Sequence, residues 1–134
     1  MFKNVLVGVK EGADPQPLLA LAQEVAPAPA RIHLVTLVRV GTEDDEQARI
    51  ENAQGRLDEL AAELRGTGYD VTTDVSLIVL AAGADLVKIA GARGCDLIVL
   101  GLAKRTRVGK ALMGSDAQRV LLSADCPVIV TRTY

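Results

Sequence analysis

The chain has 134 residues, a formal net charge of −2, and no aromatic residues beyond Phe2, Tyr69 and Tyr134. That length suits one domain closing one core, here expected to span residues 1–134. The near-neutral charge excludes a global field that draws the chain to nucleic acid or anionic membrane, and so few aromatics exclude a base-stacking platform.

No apolar run approaches the roughly 20 residues that span a bilayer. The start MFKNVLVGVKEGADP is interrupted too soon for a signal peptide, so a cytoplasmic location is expected. The first predicted element is a strand over Asn4–Val9, a continuous apolar run. A helix over Asp14–Val25 follows, with Asp14 as cap, Pro15 in the first turn, and Leu18, Leu21, Ala22 and Val25 on one face. Arg31–Val38 reads as the second strand. The longest helix is expected from about Glu43 to Arg65, capped by Thr42 and ended by Gly66 and Gly68. Tyr69–Val75 alternates as a half-exposed edge strand does. A helix over about Ala81–Arg93 leads to the apolar strand Asp96–Leu100. A basic loop, Gly101–Met113, precedes the last helix, Gly114–Ala124, and the last strand, Pro127–Thr131.

This β-α alternation predicts an α/β fold with a parallel sheet, right-handed crossovers and helices on both faces. Ligands in such folds sit outside the carboxyl ends of the strands, where the strand order reverses. The segments after strand 1 (from Lys10) and strand 4 (from Gly101) are therefore the candidates. Cys95 and Cys126 fall at the opposite ends of their strands and are expected to be reduced and buried. One His and two Cys supply no metal spacing. His33 lies inside strand 2 and reads as a sheet residue, not a general base. Asp44, Asp45 and Glu46 open a helix and read as dipole partners.

Gly101, Lys104, Gly114 and Ser115 carry the strongest chemical signal. Strand, loop and Gly-Ser helix opening read two ways. They form an anion site, because a helix N-terminus offers unpaired N–H groups and glycine admits a phosphate. Alternatively, Ser115 is a helix cap after a solvated basic loop of Lys104, Arg105, Arg107 and Lys110. Four cations without aromatics on an acidic chain do not make a nucleic-acid surface.

The start MFKNVLVGVK and the pattern DLIVLG…GS…CPVIV resemble the universal stress protein family over the whole chain. The resemblance implies strand order 3-2-1-4-5 in a flavodoxin-like layer architecture. It also implies a homodimer through Pro127–Thr131 and a role in stress survival through ligand or partner binding, without catalysis. The family's ATP-binding members carry Gly, two residues, Gly, nine residues, then Gly-Ser or Gly-Thr. Gly101, Gly114 and Ser115 match, and Lys104 replaces the second glycine. The resemblance places the candidate nucleotide- or anion-binding residues at Val9, Lys10, Glu11, Leu37, Gly101, Lys104, Gly114, Ser115 and Asp116.

The chain departs from the binders at three places. Lys10 follows Val9 where they carry Asp, and Glu11 substitutes only if the loop has an extra residue. Lys104 either fills the triphosphate space or binds phosphate itself. Asp116 sets a carboxylate beside the helix end that receives phosphate. Lys10 or Lys104 paired with Asp116 or Glu11 would occupy the crevice without ligand. The expectation is a degenerate nucleotide motif with weak or absent ATP binding. The alternatives are an ATP- or AMP-binding member that holds the nucleotide at Gly101, Lys104, Gly114 and Ser115, with no residue positioned to activate water, and a small-molecule enzyme using Lys10, Glu11 or Lys104.

Overall fold

The computed structural model describes residues 1–41, 45–79, 82–101 and 114–132. Its elements, in chain order, are β1 (Asn4–Gly8), α1 (Gln16–Val25), β2 (Arg31–Arg39), α2 (Glu46–Gly66), β3 (Asp70–Ile78), α3 (Ala82–Ala92), β4 (Leu97–Gly101), α4 (Ser115–Ser123) and β5 (Val128–Thr131). The strands form one sheet in the order β3-β2-β1-β4-β5, every pairing parallel.

β1 is central because it is apolar on both sides. Val5 and Val7 face one layer of the core, Leu6 the other, and all three are fully buried. The layer over Val5 and Val7 is closed by Leu18, Leu19 and Ala22 of α1 and by Leu57, Leu60, Ala61 and Leu64 of α2. The layer over Leu6 is closed by Leu86 and Ala90 of α3 and Ala117 and Val120 of α4. Each such leucine or valine side chain contributes roughly 1.5–3 kcal/mol by leaving water.

Several expected boundaries move. The cap of α2 is Asp45, whose carboxylate accepts from the Ala48 N–H at 3.2 Å; Thr42, the expected cap, lies outside the described residues, as do Glu43 and Asp44. Asp14 accepts from the Gln16 N–H at 3.0 Å, and Pro15 already has helical backbone angles. β3 runs three residues beyond Val75, to Ile78, because it pairs with β2 along its whole length to Arg39. Gly114, not Ser115, occupies the N-cap position of α4, which leaves Ser115 as its first residue.

The amino end of the sheet is sealed by side chains. Asp96 accepts from the backbone N–H of Lys3 at 2.9 Å and of Asn4 at 3.1 Å. The Asn4 amide donates to the carbonyls of Arg93 and Gly94 at 2.9 and 3.0 Å. Cys95 and Cys126 lie at this end, unbridged and half-buried, where burial was expected to be complete. Burial pushes the Cys95 thiol up to about 11 and raises that of Cys126 too, which makes both poor nucleophiles.

His33 is buried between β1 and β3. Its Nδ1 pairs with Thr72 Oγ1, and among the described residues its Nε2 has no partner. Burial first, then the Arg93 and Arg31 charges, lower its pKa from 6.5 to about 4. A lowered folded-state value means the unfolded chain takes up the proton first. Stability is therefore full above pH 6.5 and is lost as pH falls toward 4. Between neutral pH and about pH 4.5 we expect His33 to cost about 2–3 kcal/mol of folding free energy. Urea unfolding of wild type and His33→Val at both pH values checks this; an equal acid loss in both would refute it.

Candidate functional site at the carboxyl ends of the central strands

The strand order reverses between β1 and β4, so the chain leaves these neighbours in opposite directions and opens a crevice at their carboxyl ends. Gly8 sets the floor. A Cβ there would lie 2.8 Å from Leu100 Cδ2, so a larger residue would require the Leu100 side chain to shift. Beyond Gly8, the Val9 N–H donates to the Val35 carbonyl at 2.8 Å, which extends the β1–β2 ladder to the rim.

A cavity of about 360 Å³ fills this crevice. Its apolar walls are Val9, Leu18, Val35, Leu37, Ile78, Leu86 and Leu100. Its rim carries Lys10, Glu11, Asp14, Arg39 and Asp116, with the glycines Gly101 and Gly114 at the β4–α4 side. The volume lies within the roughly 300–1,000 Å³ typical of small-molecule sites, and aliphatic walls with a few polar groups are the usual lining.

The structure gathers most of the expected residues here. Val9, Lys10, Glu11, Leu37, Gly101, Gly114 and Asp116 all line the cavity. Ser115 opens α4 directly behind Gly114. Lys104 lies outside the described residues, with the rest of the basic loop, 102–113. His33 and the two cysteines do not line the cavity.

Among the described residues Glu11 is not paired with Lys10, and Lys104 lies outside them. Glu11 is taken by Arg49 of α2, at 2.7 Å. Among the described residues neither Lys10 nor Asp116 has an ion pair. Asp14 is committed to the N–H of Gln16.

A profile of the universal stress protein family matches residues 1–132. The chain belongs to the universal stress protein family. Universal stress protein MJ0577 of Methanocaldococcus jannaschii is 29% identical over 82 residues, which are 61% of this chain and 49% of that protein. The chain thus aligns with about half the length of that curated relative. In three dimensions it matches the solved structure of MJ0577 with a TM-score of 0.81 at 21% identity, covering 100% and 99% of the two chains. The universal stress protein of Archaeoglobus fulgidus gives 0.76 at 25% identity over 97% and 98%. A universal stress protein structure from Archaeoglobus fulgidus in complex with dAMP gives 0.66 at 21% identity over 96% of each chain. A universal stress protein bound to cAMP gives 0.71 at 22% identity over 99% and 98%.

In this member of the family, Arg49 had no sequence signal as a partner of the site. Arg49 and Glu11 are 38 positions apart, and nothing local marks them as partners. Gly83 had a weak signal, as a glycine within a run of small residues opening a helix. Its role is close packing of α3 on α4. A Cβ at Gly83 would sit 2.7 Å from the Asp116 backbone oxygen and 2.8 Å from Arg119 Cβ. Gly83 therefore sets where the first turn of α4, with Asp116, stands at the cavity. We expect Gly83→Ala to destabilise the fold by about 1–3 kcal/mol, the usual range for overpacking. Chemical denaturation measures it; a variant as stable as wild type would show that α4 moves freely.

Proposed function

We propose that this universal stress protein binds an adenine nucleotide in the cavity between β1 and β4, as a ligand-sensing module and not as an enzyme. The observation that carries the reading is the cavity itself. Its aliphatic walls suit a flat base. At the β4–α4 side, Gly114 occupies the N-cap of α4 and so brings no side chain to the helix start, and among the described residues beyond its chain neighbours none has a heavy atom within 4 Å of where a Gly114 Cβ would be. Backbone N–H groups at a helix start are natural phosphate ligands. The motif positions Gly101, Gly114 and Ser115 and the dAMP and cAMP complexes of the neighbours support the same reading.

Asp116 limits which nucleotide fits. It is half-buried at the cavity and lies in the first turn of α4, where its carboxylate already complements the helix dipole. Each added phosphate meets that charge. The proposed ligand is thus a mononucleotide, with ATP bound weakly. Catalysis has little to work with in the described cavity, since Glu11 and Asp14 are engaged by Arg49 and the Gln16 N–H.

We also propose that residues 1–134 fold as one cytoplasmic unit and that two copies join at β5. β5 is an edge strand, and Val128, Ile129 and Val130 are half-buried in one copy. The preceding helix exposes Leu121 and Leu122 at 43% and 87%. An unpaired apolar edge tends to find a partner.

Calorimetric titration tests the ligand. AMP should bind more tightly than ATP, and Asp116→Val should strengthen ATP binding by about tenfold, as removal of a nearby like charge does. Lys104→Gly should also strengthen it. Micromolar ATP binding by wild type that Lys104→Gly weakens would instead make the lysine a phosphate ligand. Sedimentation tests the assembly: a dimer is expected at on the order of tens of micromolar, and a monomer there would refute it.

A further inference from the structure

We infer that Arg49 is a positioning residue that sets the charge selectivity of the cavity, by clamping Glu11 so that a carboxylate at the mouth does not repel an anionic ligand. The inference rests on the nucleotide reading above. Arg49 itself does not line the cavity. It stands in the first turn of α2 and reaches the mouth from outside.

Its guanidinium is used as a fork. Nε donates to Glu11 Oε1 at 3.2 Å, and a terminal nitrogen donates to Oε2 at 2.7 Å. The other terminal nitrogen donates to the Arg39 backbone carbonyl at 3.0 Å. Two parallel N–H···O bonds fix both the position and the orientation of a carboxylate, which a lysine cannot do. Glu11 and Arg39 both belong to the cavity lining. Arg49 therefore ties the β1–α1 loop to the end of β2 across the mouth. Arg56, two turns further along α2, donates to the Ala13 carbonyl at 2.7 Å and holds the same loop at a second point.

The charges of the mouth give the clamp its meaning. Among the described lining residues, the carboxylates are Glu11, Asp14 and Asp116, against the cations Lys10 and Arg39. Among these residues an anionic ligand meets one more carboxylate than cation. Arg49 supplies the missing positive charge from behind the wall and turns Glu11 toward itself. The pair is partly buried, at 23% and 32% side-chain exposure, so salt screens it less than an open surface pair. Glu11 is then a structural tie and not a ligand to the nucleotide.

The test compares AMP with uncharged adenosine by calorimetry, on wild type, Arg49→Met, Arg49→Lys, Glu11→Gln and the Arg49→Met/Glu11→Gln double variant. At low salt, Arg49→Met should weaken AMP about five- to tenfold and leave adenosine within about twofold. Glu11→Gln should strengthen AMP by a similar factor, because it frees a cation at the mouth. The double variant should return to within about twofold of wild type, and all differences should shrink at about 0.5 M salt. Arg49→Lys keeps the charge without the fork and should fall between wild type and Arg49→Met, which keeps the test open if the methionine variant fails to fold.

Equal weakening of AMP and adenosine, or no rescue in the double variant, would overturn the inference and leave Arg49 a packing residue. If wild type binds both ligands and Arg49→Met changes neither, this inference alone fails. If wild type binds neither, the nucleotide reading fails and takes this one with it.

Discussion

The parallel pairing of β1 with β4 is the constraint on which the rest of the molecule depends. These two strands are neighbours in space but are separated by two other strands in sequence. Their amino ends are tied by Asn4 and Asp96, whose side chains bond backbone groups of the opposite segment. Among the described residues their carboxyl ends have no such tie, and the chain leaves them in opposite directions. Sealing one end and opening the other follows from one choice of strand order. Gly8, without a side chain, and the Leu100 side chain lie together at the floor of this crevice.

The layers built on this pair are made of aliphatic residues, and that has a consequence for the site. Apolar walls formed by Val9, Leu37, Leu86 and Leu100 offer burial but no hydrogen-bond selection. Selectivity must come from the rim, where a few charges act at short range. Two of the rim carboxylates are engaged by the fold itself, Glu11 by Arg49 and Asp14 by the start of α1. Asp116 is held at the cavity by the contact of α4 on Gly83. What a ligand meets is the remainder after the protein has satisfied its own charges. This is why a family motif alone does not give the affinity of one member.

The two halves of the sheet also divide the chemistry. The amino end holds the groups that look reactive in isolation, the two thiols and the only histidine. Their surroundings favour the neutral form of each. Burial raises both thiol pKa values and holds His33 neutral across the physiological range. The carboxyl end holds unremarkable residues, glycines, valines, leucines and a few charges, and these surround the cavity.

Much of this was legible in the sequence. Apolar runs of strand length alternating with helical stripes define the parallel sheet, because a strand buried on both faces must be apolar throughout. The same logic puts β3 at an edge, since its polar alternation suits one covered face. Glycines 101 and 114, picked out by their spacing, both line the cavity. Boundaries moved where local signals were weak: β3 ran on to Ile78 because pairing with β2, not its own residues, set its length. What the tertiary structure alone decided is which charges meet. Glu11 could pair with any nearby cation, and the sequence offers Lys10 beside it. Packing of α2 against β2 and β3 brings Arg49 to it instead, with a fork that holds both carboxylate oxygens. Hydrophobic periodicity is written along a chain, residue by residue. A salt bridge between segments 38 residues apart exists only once the core has fixed where its helices stand.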